Sequence, residues 1–405
     1  MSTASRSTRC LIAGAGPAGM MLGLMLARRG IEVTVLEKWP DFFRDFRGDT
    51  IHPSTMDVLF ELGLLDDFLK LPHNKTRQMR GHLIDSEVTI ADFSYLSVRC
   101  PFIAFIPQWD FLNFLAEHAR ALPNFHLLME NEATDLIRER GRVVGVRVKN
   151  KDGEFEIRAE LIVGCDGRHS TIREKAGLVV ENMGAPIDVL WFRIRRDPEG
   201  APDQSFGYIK EGKIMVMLDR DTYWQCAFII NKGDFEHIKA RGLEAFREGI
   251  ASLAPFVKTA VQEIQDWDEI KMLSVTVDHL TQWYAEGVIC IGDAAHAMSP
   301  IGGIGINLAI QDAVAAANVL IPAFERGVPT MGDCAAIQKR RAWPTRLTQN
   351  FQVFMHRRVI SPYLLHEITL QQPLPFKLLR WFPFLRWIPA RFIGIGIQPE
   401  HVRYP

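Results

Sequence analysis

Three short segments hold the residues whose types and spacing bear on chemistry: Gly14-Ala15-Gly16-Pro17-Ala18-Gly19, Gly164-Cys165-Asp166-Gly167 and Gly292-Asp293-Ala294-Ala295-His296. The first has the G-x-G-x-x-G spacing of a loop that cradles a pyrophosphate. Gly14 permits a tight turn, Gly16 lets the backbone approach the phosphates, and Gly19 lets the following helix pack close to a sheet. Such a match recurs by chance when it stands alone. The other two segments each deliver a carboxylate, Asp166 or Asp293, from the end of an apolar run into a loop. There an acid can accept hydrogen bonds from amides or hydroxyls. No catalytic side chain can be singled out. His296 reads as a structural hydrogen-bonding residue, since no fixed acid partner is visible in the sequence.

The elements that must position these residues are legible around the first segment. Arg9-Cys10-Leu11-Ile12-Ala13 is a short apolar strand running into the glycine loop, Met20 to Arg29 reads as a helix stopped by Gly30, and Ile31 to Glu37 returns as a β-branched strand. This is the βαβ context that the glycine spacing requires. Glu37 ends the second strand about twenty residues into the motif, where a carboxylate accepts hydrogen bonds from both hydroxyls of a ribose and repels a 2′-phosphate. Leu161 to Gly164 and Val288 to Ile291 are further buried-strand patterns, each feeding one of the acidic loops.

A chain of 405 residues that is 47% hydrophobic is long enough for one large or two interlocked domains. With 47 basic and 48 acidic side chains, it has no overall electrostatic case for nucleic acid, so the expected partner is a small molecule. The first nine residues lack an apolar signal core, which sets the expectation of a cytoplasmic protein. Six cysteines without a C-x-x-C pair argue against a redox dithiol and against a metal site. Cys10, Cys165 and Cys290 are expected as small core residues.

From Leu178 to about Asp278 the pattern changes to strands such as 189–194, 213–218 and 224–230, followed by a helical insertion near Phe235 to Leu253. Helical patterns resume after Ile304. The fold class expected is α/β: a Rossmann-like nucleotide domain with an inserted, largely antiparallel β-sheet substrate domain and a helical C-terminal region. The boundaries are discontinuous: residues 1–72, 101–177 and 279–356 for the nucleotide domain, 73–100 and 178–278 for the sheet domain, and 357–405 for the tail.

The three segments in this order resemble the group A flavoprotein monooxygenases, the single-component aromatic hydroxylases typified by para-hydroxybenzoate hydroxylase. The resemblance spans most of the chain. It implies noncovalent FAD, with NAD(P)H as a transient co-substrate, because only one nucleotide fingerprint is present. It places Gly14, Gly16, Pro17, Ala18, Gly19 and Glu37 at the adenosine and pyrophosphate. It gives Asp166 a place near both the pyrophosphate and the nicotinamide path, and it makes Asp293, after Gly292, the acceptor for a ribityl hydroxyl. Pro300, Gly303, Gly305, Ile306 and Asn307 fall at the isoalloxazine, mainly through backbone amides at a helix start. Arg47 corresponds to an arginine facing the phosphates, with Arg44 as a competitor, and Gln108 to a glutamine near the ribityl chain. Asp49 and His52 face flavin or substrate, or else form a polar turn into the next helix.

The activity this implies is hydroxylation of an apolar aromatic small molecule with O2 through a flavin C4a-hydroperoxide, the cofactor carrying the difficult chemistry. Two alternatives stay open: an FAD-dependent reductase or dehydrogenase acting on a polyprenyl-like substrate, and a non-catalytic flavin-binding interaction protein. A halogenase is disfavoured, because Arg386-Trp387-Ile388-Pro389 lacks the full W-x-W-x-I-P pattern. Trp191, Phe192, Met215, Met217, Tyr223, Trp224 and Phe228 offer pocket surface, although strand alternation makes many of them ordinary core residues.

The stretch from Leu374 to Ile397 is aromatic and basic, with Lys377, Arg380, Arg386 and Arg391 and no acid. Pro383 and Pro389 prevent one uninterrupted spanning helix. The expectation is that it packs over the flavin domain, with at most peripheral membrane contact.

Overall fold

The computed structural model describes residues 6–43, 50–83, 86–197, 206–367 and 374–405. Its larger sheet is built on five parallel strands in the order Val288–Cys290, Gly153–Gly164, Arg6–Ala13, Val33–Glu37 and Phe125–Met129. Leu11, Ile12, Val33, Val35, Leu161, Ile162, Val288 and Ile289 are all fully buried. Parallel strands are covered on both faces, so they read as continuous apolar runs rather than alternating ones. Cys10 and Cys290 lie buried in this sheet, as expected, and burial pushes both thiols well above their ordinary range.

The helix Pro17–Arg28 follows the first strand with ten consecutive buried residues, Ala18 to Ala27. Gly23 allows its close approach to the sheet, since a β-carbon there would lie 2.8 Å from the Phe125 ring. A second long helix, Gly305–Arg326, packs against it, and Met331–Met355 packs in turn on that one. The segment Ile301–Arg326 is long and apolar enough to cross a membrane, but 89% of its most apolar window is buried inside the protein, which makes it the central core helix.

The second sheet has seven strands, in the order Lys271–Ser274, Ile187–Arg195, Tyr223–Asn231, Lys213–Asp219, Phe206–Lys210, Gln78–Leu83 and Ser86–Asp92. All neighbours are antiparallel except Phe206–Lys210 with Gln78–Leu83. Period-two alternation gives it two different faces. Leu190, Phe192, Ile194, Met215, Met217, Trp224, Cys226 and Phe228 point to one core, closed by Phe246 and Ile250 of the helix Leu243–Leu253. Each such burial contributes roughly 1.5–3 kcal/mol relative to exposure. Val189, Trp191, Ile214, Val216, Ala227 and Ile229 form the other face, which packs with Ile301 and Val353. Of the aromatic and methionine residues read as pocket surface, Phe192, Met215, Met217, Trp224 and Phe228 therefore belong to the core under the helices, Trp191 joins the opposite face, and Tyr223, half-buried at the strand start, has the parity of that opposite face.

The C-terminal segment follows its expectation only in part. Ala390 and Gly394 are buried, and a β-carbon on Gly394 would lie 3.1 Å from the Phe93 ring. Trp381, Phe382, Phe384, Trp387 and Ile388 instead remain exposed. The short helices Leu374–Trp381 and Trp387–Gly394 are each too brief to bury both sides, and the intervening turn Pro383–Arg386 has no buried residue.

Candidate active site

Gly14 closes the first strand with φ +101°, its N–H donating to Leu36 O at 2.8 Å. A β-carbon there would lie 2.4 Å from Cys165 O, so the glycine also seats the Asp166 loop against this turn. Gly19 is equally constrained, with Gly14 O 2.0 Å from its would-be β-carbon. Gly16 differs: nothing lies within 4 Å of that position. It is the N-cap of the helix that begins with Pro17 and Ala18, and no side chain caps that helix. The unpaired amides of this first turn thus face open space, as an anion requires. Glu37 sits at the strand end, its carboxylate accepting from Ala15 N and Trp39 N, each at 3.2 Å.

Asp166 works inward. Its carboxylate accepts from Ser170 Oγ at 2.5 Å and Ile172 N at 3.1 Å, and burial raises its pKa against the pull of these bonds. It therefore holds the loop in shape. Arg168 in the same loop lies 3.6 Å from Asp293, and Arg173 reaches Asp278 at 3.5 Å and the carbonyls of Ala294 and Arg168. These two arginines tie the second segment to the third. The sequence reading missed both.

Gly292 is the point of convergence. Its φ is +60°, and a β-carbon would meet Ala18 at 3.2 Å and Ala309 at 3.3 Å. The first turn of the Pro17–Arg28 helix and the second turn of the Gly305–Arg326 helix thus meet at one glycine. Asp293 follows it with a carboxylate 35% exposed, and its one ion pair among the described residues is with Arg168.

The segment from Pro300 turns through a short 3-10 element, with Gly302 and Gly303 at φ +77° and +63°. Gly303 N donates to Pro300 O at 3.0 Å, and Gly303 O accepts from Thr50 Oγ1 at 3.0 Å. The helix starting at Gly305 has no side-chain cap, and its first intrahelical bond is Leu308 N to Ile304 O at 3.0 Å. The amides of Gly305, Ile306 and Asn307 are left without an intrahelical acceptor. The Asn307 side chain is fully used: Oδ1 accepts from His52 N at 3.0 Å and Thr55 Oγ1 at 2.7 Å, and Nδ2 donates to Thr50 O and Gly303 O at 3.3 Å. It clamps the helix start to the Thr50–Ile51 strand, leaving only its backbone for a ligand.

Gln108 is the half-buried first residue of the helix Gln108–Arg120, and its amide has no side-chain partner among the described residues. His52 is wholly buried, with Nδ1 2.7 Å from Ile393 O, so it anchors the C-terminal helix, while its Nε2 has no partner among the described residues. Burial lowers its pKa to about 4. Arg47, Arg44 and Asp49 lie outside the described residues.

His296 has an acid partner after all. Its Nε2 lies 2.5 Å from Asp312 Oδ2, and Asp312 also accepts from Gly292 N at 3.1 Å and Arg341 Nε at 2.9 Å. Arg341 is 3.6 Å from Glu400, which also pairs with Arg340 at 2.6 Å. His296, Asp312, Arg341 and Glu400 are each at most 1% exposed. A network this enclosed is structural, and it braces Gly292 from behind.

Open space at Gly16, two helices with uncapped N-termini that converge on Gly292, and one accessible carboxylate form a set of donors and an acceptor that fits a dinucleotide carrying a redox ring. Pyrophosphate would lie at the Pro17 helix, a polyhydroxyl linker at Asp293, and an anionic ring edge at the amides of 305–307.

Comparison with known proteins agrees. Residues 7–350 match the FAD binding domain family model. The chain is 30% identical over 362 residues to the 6-methylpretetramide 4-monooxygenase of Streptomyces rimosus, covering 87% of this chain and 85% of that one. It is 27% identical to the para-nitrophenol 4-monooxygenase of Pseudomonas sp. strain WBC-3, covering 79% of each. In fold it resembles the PqsL protein of Pseudomonas aeruginosa, with a TM-score of 0.76 at 21% identity, over 89% of this chain and 99% of that one. A similar likeness, TM-score 0.77 at 23% identity, extends to the OxyS anhydrotetracycline hydroxylase of Streptomyces rimosus over 98% of this chain and 77% of that one. The chain belongs to the FAD-binding domain family, within the group A flavoprotein monooxygenases. It is an FAD-dependent monooxygenase.

Proposed function

We propose that this enzyme hydroxylates an apolar aromatic small molecule, with NAD(P)H as the transient reductant and O2 as the oxygen source. The observation that carries this reading is the meeting at Gly292 of two helices whose N-termini lack side-chain caps, beside the accessible Asp293 carboxylate. FAD, when bound, supplies the redox chemistry: hydride uptake from the nicotinamide and delivery of one atom of O2 to the substrate.

The chain's own residues do the binding and the electrostatics. The N–H groups of Gly16 and Ala18 would hold the pyrophosphate, Glu37 the adenosine ribose and Asp293 a ribityl hydroxyl. Amides of Gly305, Ile306 and Asn307, with the positive end of a helix of 22 residues behind them, would hold the flavin ring edge and favour negative charge there. These donors are fixed beforehand by Asn307 and Thr50, so little reorganisation accompanies reduction.

The sheet face carrying Val189, Trp191 and Val216 packs with Ile301, one residue before the glycine turn. An aromatic substrate between this face and the turn would be shielded from water, which keeps the oxygen transfer coupled to reductant use. Relatives named for para-nitrophenol and anhydrotetracycline support a phenolic or fused-ring substrate.

The test is rapid-mixing reduction of the holoenzyme by NADH and by NADPH against a panel of phenols and fused-ring aromatics. At least one such ligand is expected to accelerate flavin reduction and to yield a hydroxylated product. Equal reduction rates with every ligand, together with product formed without O2, would move the assignment to a reductase or dehydrogenase.

A further inference from the structure

The helix Met331–Met355 is amphipathic the wrong way round. Arg341, Thr345, Thr348, Gln349, Gln352 and, just beyond it, His356 are buried. Gln349 donates to Asp278 O and Ala297 O at 2.7 and 3.0 Å, and Gln352 donates to Ser299 O and Ile301 O at 3.2 Å each, while Thr345 Oγ1, Gln349 Oε1 and His356 Nδ1 have no partner among the described residues. The inner side is thus a polar ladder gripping the loop that leads to the glycine turn. The opposite side carries Trp343, Leu347, Phe351 and Phe354, which are 60%, 43%, 44% and 57% exposed. Their spacing of four, four and three places them on one stripe.

This stripe continues into the C-terminal segment. The Phe351 and Phe392 rings meet at 4.9 Å, and Phe392 belongs to the helix that also bears the exposed Trp387 and Ile388. Trp381 and Phe384, 64% and 57% exposed, lie just before it. Monomeric proteins rarely leave so many contiguous large apolar side chains in water.

Charge identifies what covers this face. From Cys334 to Pro405 the sequence has eleven lysines and arginines but only two acids, Glu367 and Glu400, although the chain as a whole carries −1. Arg340 and Arg341 are paired with Asp312 and Glu400. Arg346 and Arg358 are exposed beside the stripe, and Lys377 and Arg380 are exposed beside Trp381. A second copy docking here would set basic rim against basic rim. An anionic lipid surface would neutralise the cations and take up the indole and phenyl rings.

We propose that this face seats the enzyme on the interface of an anionic bilayer, lying on it rather than crossing it. The proposal stands apart from the flavin reading, because its residues are distinct from the cofactor site. Its consequence for that site is positional: the ladder of Gln349 and Gln352 lies between the lipid-facing stripe and the 296–301 loop.

The test uses the full-length holoenzyme with sucrose-loaded vesicles of phosphatidylcholine alone or mixed with phosphatidylglycerol. Flavin absorbance monitors both integrity and sedimentation. The wild type is expected to partition into the anionic vesicles and to release in about 0.5 M salt, and lipids brominated near the headgroup are expected to quench its tryptophan fluorescence. Arg358→Glu with Arg380→Glu, or Trp343→Ser with Trp381→Ser, should reduce partitioning by about tenfold or more while flavin remains bound. Absence of wild-type partitioning at low salt overturns the proposal. So does a concentration-dependent dimer that the aromatic substitutions dissolve, which would assign the face to a second copy. Because quenching and salt release are measured on the wild type, the result does not depend on the variants folding.

Discussion

His296 and Asp312 touch at 2.5 Å across sixteen residues of sequence, and neither is more than 1% exposed. The same carboxylate receives the Gly292 amide and the Arg341 guanidinium. The residue that shapes the cofactor loop is thereby linked through Arg341 to Glu400 in the last turn of the chain. Asp312→Asn should leave Arg341 with Glu400, already shared with Arg340, as its remaining counter-charge, and the His296 pair without its carboxylate. Breaking a buried pair in this way costs about 3–5 kcal/mol. Thermal unfolding of the apoprotein should show the loss, and FAD retention should fall with it.

Acid should remove this brace and other contributions in two separate windows. Burial alone would raise the Asp312 pKa, but His296 and Arg341 outweigh it and the net shift is downward. A lowered carboxyl contributes stability above its unfolded pKa, near 3.8, and loses it only as pH falls through the still lower folded value. His52 and His356 act earlier: burial lowers both from 6.5 to about 4. Above pH 6.5 they are neutral in both states. Below it the unfolded chain takes up protons that the folded protein refuses, so stability falls from about 6.5 to about 4. Denaturant titrations across this range should show that loss, with a smaller slope in His52→Gln.

Two glycine substitutions should separate fold from ligand. Gly303→Ala puts a side chain at φ +63° and 2.4 Å from Thr50 Oγ1. It should destabilise the apoprotein by roughly 1–3 kcal/mol. Gly16→Ala meets no atom within 4 Å at φ −71°. Apoprotein stability should change by no more than about 0.5 kcal/mol, while FAD binding weakens by at least about 1.4 kcal/mol, a factor of ten. Equal FAD affinity in Gly16→Ala and wild type, measured by equilibrium titration, would remove the pyrophosphate from this loop.

Asp293→Ala removes a carboxylate that is one-third exposed and paired only with Arg168 among the described residues. The fold should survive, because surface pairs contribute little. FAD should dissociate faster, since a charge-assisted hydrogen bond of about 1.5–3 kcal/mol is lost. Flavin fluorescence after dilution measures this directly.

The three glycine segments were legible because each is local: a strand, a glycine turn and a helix start within about ten residues encode their own geometry. Gly14 and Gly292 prove to be tight contacts between those segments, a relation that single motifs cannot reveal. The brace of Asp312, Arg341 and Glu400 joins positions 29 and 59 residues apart on separate elements, with no pattern in sequence to mark it. The aromatic residues of the inserted sheet were visible as a group, yet their division between two faces depends on register. Phe192 and Trp191 are neighbours in sequence and belong to opposite cores. The buried face of the Met331–Met355 helix had no signal in sequence, because polar side chains can be buried when backbone carbonyls accept from them, as Gln349 and Gln352 show.

The account stands most directly on the fate of molecular oxygen. Holoenzyme, NAD(P)H and a phenolic or fused-ring substrate that accelerates flavin reduction are combined under isotopically labelled O2, and the product is weighed by mass spectrometry. One labelled oxygen atom per hydroxylated product is predicted, with no product formed in its absence. Product carrying oxygen from water, or formed equally well without O2, would contradict the assignment of this chain as a monooxygenase.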